Sequence, residues 1–102
     1  MEKRYQIQLS SYARDDIEDI YNYIKRNSIY YAEKTKKEIE NRIYELMYMP
    51  YIGSELDDFY ILKLRQLIYK SYKIIYSIHK NKIYIRRILH SARFLSLNLI
   101  KN

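Results

Sequence analysis

Six side chains in the second half of this sequence carry most of its capacity for chemistry: Lys63, Arg65, Lys73, Arg86, His90 and Arg93. A guanidinium such as that of Arg65 can grip a phosphate or carboxylate through two parallel N–H donors, and the alternative is an ordinary surface arginine. His90 is either a proton-transfer group or phosphate donor, or a structural histidine at the end of a strand. His79 stands beside a hairpin turn and reads as solvated. Two histidines without a neighbouring carboxylate make no convincing metal site, and the chain has no cysteine to supply thiolates. The sequence also lacks a Gly-rich phosphate loop, a Ser/His/Asp order and a helix bearing paired histidines. No metal and no cofactor is therefore expected.

The charges around those six residues are distributed unevenly. The chain has 102 residues, 19 Lys+Arg and 12 Asp+Glu, for a net charge of +7. Residues 1–58 hold 9 basic and 12 acidic residues, net −3, while residues 59–102 hold 10 basic and no acidic ones, net +10. A solvated surface normally mixes both signs. A single-sign stretch of this length attracts polyanions or an acidic protein. The 14 tyrosines do not strengthen that reading, because a chain rich in Ile, Tyr and Lys is what AT-rich codons produce.

The elements that position these residues follow from hydrophobic period. Tyr5–Leu9 alternates and reads as a strand. Ser10 and Ser11 can cap a helix over about 11–26, with Ala13, Ile17, Ile20, Tyr21 and Ile24 on one stripe. Asp15, Asp16, Glu18 and Asp19 fall in its first two turns, where acids complement the helix dipole. After Asn27-Ser28 a second helix is expected over about 29–48, with Ala32, Thr35, Ile39, Ile43, Leu46 and Met47 inward. Pro50 ends it, Gly53 supplies a turn, and Ser54–Asp58 is read as an acidic loop. Three strands follow, about 60–69, 72–79 and 82–90, joined by tight turns at Lys70-Ser71 and Lys80-Asn81. The segment from Ser91 to Asn102 is either a short helix or a loose end.

The expected fold is thus α+β with the order β-α-α-β-β-β. It is a single domain over residues 1–102, in which a helical hairpin covers one face of an antiparallel sheet. Taking alternate residues as sharing a face, Lys63, Arg65, Lys73, Arg86 and His90 would form a concave basic patch on the uncovered face, with Arg93 just beyond. No run of apolar residues is long enough to span a membrane, and Met1–Tyr5 has no apolar stretch. The expected location is the cytoplasm.

An ordered set of residues resembles the RelE/ParE superfamily, the toxins of type II toxin–antitoxin systems. It begins with Leu9-Ser10 and Ala13-x-x-Asp16-Ile17-x-x-Ile20-x-x-Tyr23-Ile24, and continues through Ala32, Ile39, Ile43-x-x-Leu46, Pro50 and Gly53. It closes with Leu64-Arg65-x-Leu67, Tyr72-x-Ile74-x-Tyr76 and Ile85-x-x-Ile88-Leu89-His90-x-x-Arg93. The resemblance spans nearly the whole chain and implies the same fold. It also implies one of two activities. ParE-like members poison DNA gyrase, and RelE-like members are ribosome-dependent mRNA endonucleases. Three features place this chain nearer the ParE side: the long helical hairpin followed by Pro50 and Gly53, Tyr72-Lys73 where the nuclease branch often has Tyr-Arg, and the absence of Tyr after Arg93.

The resemblance implies a cognate antitoxin with an acidic tail, and a target that is either a gyrase–DNA complex or the ribosome with its mRNA. Lys63, Arg65, Lys73, Arg86, His90 and Arg93 are the target-binding candidates. Whether the chain is an enzyme is open. If it cleaves RNA, it does so without metal, with Arg65, Lys73, His90 and Arg93 as the catalytic candidates. A third possibility is an inactive member that retains only the antitoxin-binding surface.

Overall fold

The computed structural model describes residues 4–57, 62–93, 95, 99 and 100. The chain runs β1 (Gln6–Leu9), α1 (Ser11–Lys25), α2 (Ile29–Tyr44), a 3-10 turn (Glu45–Met47), β2 (Ser54–Glu55), β3 (Leu64–Tyr69), β4 (Tyr72–His79) and β5 (Lys82–His90). The strands form one sheet in the order β1-β5-β4-β3-β2. β3, β4 and β5 pair antiparallel, as expected for the meander, and β2 pairs antiparallel with β3. β1 lies parallel to β5 at the edge, which makes the sheet mixed. The two-residue β2 arises inside the segment read as an acidic loop, where Ser54 and Glu55 pair with Gln66 and Arg65.

Both helices start where a serine can cap them. Ser10 Oγ accepts the Ala13 N–H at 3.0 Å and donates to Arg86 O at 2.8 Å, tying the start of α1 to β5. Ser28 Oγ accepts the Tyr31 N–H at 3.1 Å. Loss of either cap removes a partner from an otherwise orphaned amide. The stripes then meet the sheet. Ala13, Ile17, Ile39, Ile43 and Leu46 pack on Leu67, Ile74, Tyr76, Ile83, Ile85 and Ile88. Each aliphatic side chain of this size contributes roughly 1.5–3 kcal/mol when removed from water.

Two turns use non-glycine residues at positive φ, Lys70 at 50° and Lys80 at 57°. They close the two hairpins where the sequence placed them, with Tyr69 opposite Tyr72 and His79 opposite Lys82.

The second sheet face departs from expectation. Its centre is apolar, formed by Leu64, Ile75 and Leu89, and the chain covers it with its own Leu56, Leu95, Leu99 and Ile100. The uncovered basic face expected from alternation is therefore absent at its middle. Arg87 Nη1 donates to Leu99 O at 3.1 Å, and Lys73 Nζ donates to Arg93 O, so two of the basic residues hold the C-terminal segment in place. The proposed start of a strand near residue 60 lies outside the described residues, as does most of the stretch after Arg93.

A three-residue cluster joins the hairpin to the β3–β4 turn. Tyr69 Oη and Lys70 Nζ both donate to Glu38. The Tyr69 hydroxyl holds the Glu38 carboxyl below its ordinary range. Burial, followed by the bond to Glu38, pushes Tyr69 up, and its bonded neighbours push Lys70 up. A phenol whose folded value is raised contributes stability below the ordinary tyrosine value and loses it as pH rises past that value. Between about pH 9 and pH 11 the melting temperature of the native chain should fall more steeply than that of Tyr69→Phe. Parallel curves in a thermal melt series would contradict the assignment.

Candidate functional site

The side chains expected to act together are divided between two faces and two ends of the sheet. Directly opposed residues on paired strands point to the same side. Arg65 opposes Tyr76, so it lies on the helix side. Lys73 opposes Leu89 and Ile68, so it lies on the other. On β5 the alternation is interrupted. Tyr76 pairs with Ile85 and Ile75 pairs with Arg87, so two steps on β5 answer one on β4. This bulge leaves Arg86 on the side of Ser77, whose Oγ it reaches at 3.2 Å, and turns His90 to the helix side opposite Tyr72. The expectation that Arg65, Lys73, Arg86 and His90 share one face is corrected by this register. A bulge shifts phase by one residue, and a period-2 reading cannot detect it.

Two clefts nevertheless gather some of them. The first, about 400 Å³, brings Lys63 and Arg65 together with Tyr51, Glu55 and Asp57. Arg65 is occupied there. Its Nε and Nη2 donate to Gly53 O at 3.1 and 2.7 Å, Nη2 also reaches Tyr51 O at 3.2 Å, and Nη1 pairs with Glu55 at 3.3 Å. The guanidinium also sits 5.2 Å from the centre of the Tyr51 ring.

Tyr76 completes the same construction from β4. Its buried hydroxyl accepts the Gly53 N–H at 3.0 Å and donates to Pro50 O at 2.8 Å. Gly53 is needed for space rather than for a left-handed turn, because a Cβ there would lie 2.6 Å from both Gln66 O and the Tyr76 hydroxyl. Arg65 and Tyr76 thus fix the loop at 50–55 against the sheet. What that loop and the end of α2 present outward is apolar: Tyr44, Tyr48, Met49, Tyr51 and Ile52 are each 40–62% exposed. This exposed, largely aromatic ridge stands on a loop that buried hydrogen bonds hold to the sheet.

The second cleft, about 480 Å³, lies at the opposite end of the meander, beneath the tip of the helical hairpin. It gathers His90 and Arg93 with Tyr23, Tyr72 and Asp19. Arg93 N donates to His90 O, and Ala92 N donates to His90 Nδ1 at 3.2 Å. That bond places the ring proton on Nε2. Burial, then the neighbouring Tyr23, keeps Tyr72 above the ordinary tyrosine range, so its hydroxyl is a proton donor.

Sequence reading missed Arg87. Its Nε and Nη2 grip Asp16 of α1 at 2.7 and 2.8 Å, and Asp16 also accepts the Ile88 N–H at 2.9 Å. Both side chains are nearly buried. The bond to Asp16 raises the Arg87 guanidinium further above its ordinary value, against an opposing effect of burial. Asp16, read as a dipole-complementing acid, is an ion-pair partner. No local pattern announces a pair 71 residues apart. Among the described residues no group of three or more His, Cys, Asp or Glu is arranged to hold a metal ion, and no helix is long and apolar enough to cross a membrane.

The family model for the ParE toxin of the type II toxin–antitoxin system parDE matches residues 7–94. The chain belongs to the ParE toxin family. A solved chromosomal ParDE toxin–antitoxin system from P. aeruginosa contains a chain of the same fold, with a TM-score of 0.73 at 17% identity, covering 87% of this toxin and 98% of that chain. No curated protein matches this toxin. As the toxin half of a type II system, it has a cognate antitoxin as its partner.

Proposed function

We propose that this toxin arrests growth by poisoning DNA gyrase through surface contacts, without catalysis of its own. The observation that carries the proposal is the match of residues 7–94 to the ParE toxin family model. The state of Arg65 supports it. A guanidinium already bound to two loop carbonyls and Glu55 is not free to stabilise a phosphorane. The ridge from Tyr44 to Ile52 supplies a preformed surface for a protein. Lys63, at the rim beside it, is the predicted target-binding residue best placed to assist; Arg65 is a positioning residue that holds the ridge.

The gathering of His90, Arg93 and Tyr72 in one cleft is the feature that favours the second reading, a metal-free mRNA endonuclease. Two parallel assays decide between them. Purified toxin added to gyrase with supercoiled plasmid should block supercoiling and accumulate cleaved DNA, and the cognate antitoxin should reverse both. Tyr51→Ala should weaken the effect about tenfold or more, as expected for truncating an aromatic anchor. Codon-positioned cuts in mRNA on translating ribosomes, with gyrase unaffected, would overturn the proposal.

A further inference from the structure

We infer that the tip of the helical hairpin and the cleft beneath it bind single-stranded DNA. Tyr23, Ile29, Tyr30 and Tyr31 are 55–68% exposed, more than most large apolar side chains among the described residues, and they surround one short turn. The Tyr30 and Tyr31 rings meet edge to face at 5.1 Å, and Arg26 lies 5.7 Å from the Tyr23 ring centre. Lys25 and Arg26 are the charges between Ile20 and Ala32, with no acid among them. Flat rings flanked by cations are what an unpaired nucleic acid strand uses: bases stack on the rings and phosphates meet the cations.

The cleft adds a recognition pocket to this platform. Its volume of about 480 Å³ falls in the range of small-ligand sites, so it can take one unstacked nucleotide. Three donors line it: His90 Nε2, made the donor by the bond from Ala92 to Nδ1, the Arg93 guanidinium and the Tyr72 hydroxyl. Asp16, which also lines it, is paired with Arg87. Asp19, the other acid lining it, is an acceptor that suits a base amino group and not a phosphate.

The charge on the hairpin tip itself, Lys25 and Arg26, is of one sign and favours an anion, and the exposed rings beside it favour one that carries bases to stack. The inference deepens the gyrase–DNA reading, because a toxin that stabilises cleaved DNA gains from touching the strand as well as the enzyme.

The test needs no gyrase. Fluorescence anisotropy is measured with a labelled DNA single strand of about 12 nucleotides, at two salt concentrations. Binding should weaken with salt. Tyr30→Ala/Tyr31→Ala and Arg26→Ala/Arg93→Ala should each reduce affinity about tenfold or more, while Tyr30→Phe/Tyr31→Phe retains it. Lys80→Ala/Lys82→Ala, at the other end of the β4–β5 hairpin, should change it about twofold at most. Circular dichroism confirms that each variant is folded.

The inference is overturned by absence of binding at low salt, by tip variants no weaker than the Lys80/Lys82 control, or by RNA binding about tenfold tighter than DNA. It is also overturned if the tip variants keep DNA binding and lose the antitoxin. A toxin that binds DNA at the tip but leaves gyrase untouched would overturn the proposed function and leave this inference standing. Gyrase poisoning that survives with no strand binding would do the reverse.

Discussion

Replacing Asp16 by alanine is expected to lower the stability of this toxin by about 3–5 kcal/mol, the cost of leaving a largely buried cation without its partner. For a chain of this size that corresponds to a fall of roughly 15–30 °C in melting temperature. Asp16 accepts three hydrogen bonds, two from Arg87 and one from the Ile88 backbone. The backbone amide loses its partner along with the guanidinium. Arg87 also bonds the carbonyl of Leu99, so the substitution loosens the covering of Leu64, Ile75 and Leu89 by the C-terminal segment. The double variant Asp16→Leu/Arg87→Met should recover much of the loss, because removing both charges together leaves neither buried alone. A single variant that melts within a few degrees of the native chain would show that the pair contributes little.

Tyr76→Phe is the second large effect. It deletes one hydroxyl and orphans two groups at once, the Gly53 N–H and the Pro50 carbonyl. Each unsatisfied buried group costs about 1–3 kcal/mol, so a loss of about 2–4 kcal/mol is expected after partial relaxation. Gly53→Ala attacks the same joint from the other side. Its Cβ would meet the carbonyl of Gln66, which belongs to the β2–β3 ladder, as well as the Tyr76 ring. Overpacking of this kind costs about 1–3 kcal/mol. Both variants should lose gyrase inhibition or antitoxin affinity by more than the unfolded fraction explains, since the aromatic ridge moves when its loop is released. Equilibrium melting and gyrase titration on the same samples separate the two effects. Activity that tracks folded protein alone would mean the ridge has no binding role.

The helical hairpin was legible because its signals are local. Ser10 and Ser28 stand immediately before apolar stripes, and both act as caps. The inward positions Ala13, Ile17, Ala32, Ile39, Ile43 and Leu46 are buried as their spacing requires. The two turns of the meander fell at Lys70-Ser71 and Lys80-Asn81. The end of the second helix was less exact. Regular helix stops at Tyr44 and tightens through Glu45–Met47 before Pro50, and Leu46 stays buried through that tightening.

The site was less legible because it depends on which way a strand faces and on who meets whom across the fold. Arg65 reads from the sequence as a target-binding residue, whereas its guanidinium is held by carbonyls of a loop twelve and fourteen residues away. His90 and Arg93 do meet, in a cleft that also requires Tyr23 from a helix 67 or more positions earlier. Lys73 and Arg86 went to the other face.

By itself, then, the order of residues determined the capped helical hairpin, the three-stranded meander, the family and the accumulation of positive charge in the second half. Those properties depend on neighbours within a few positions, or on composition. Only the tertiary structure decided where the charge goes. One extra residue at the β5 bulge rotates His90 away from Arg86, Asp16 neutralises Arg87 across 71 residues, and the chain's own leucines close the face that alternation left open. A burial pattern of period two says that a strand has two faces; which face a helix or a returning chain end covers is settled by packing between segments distant in sequence.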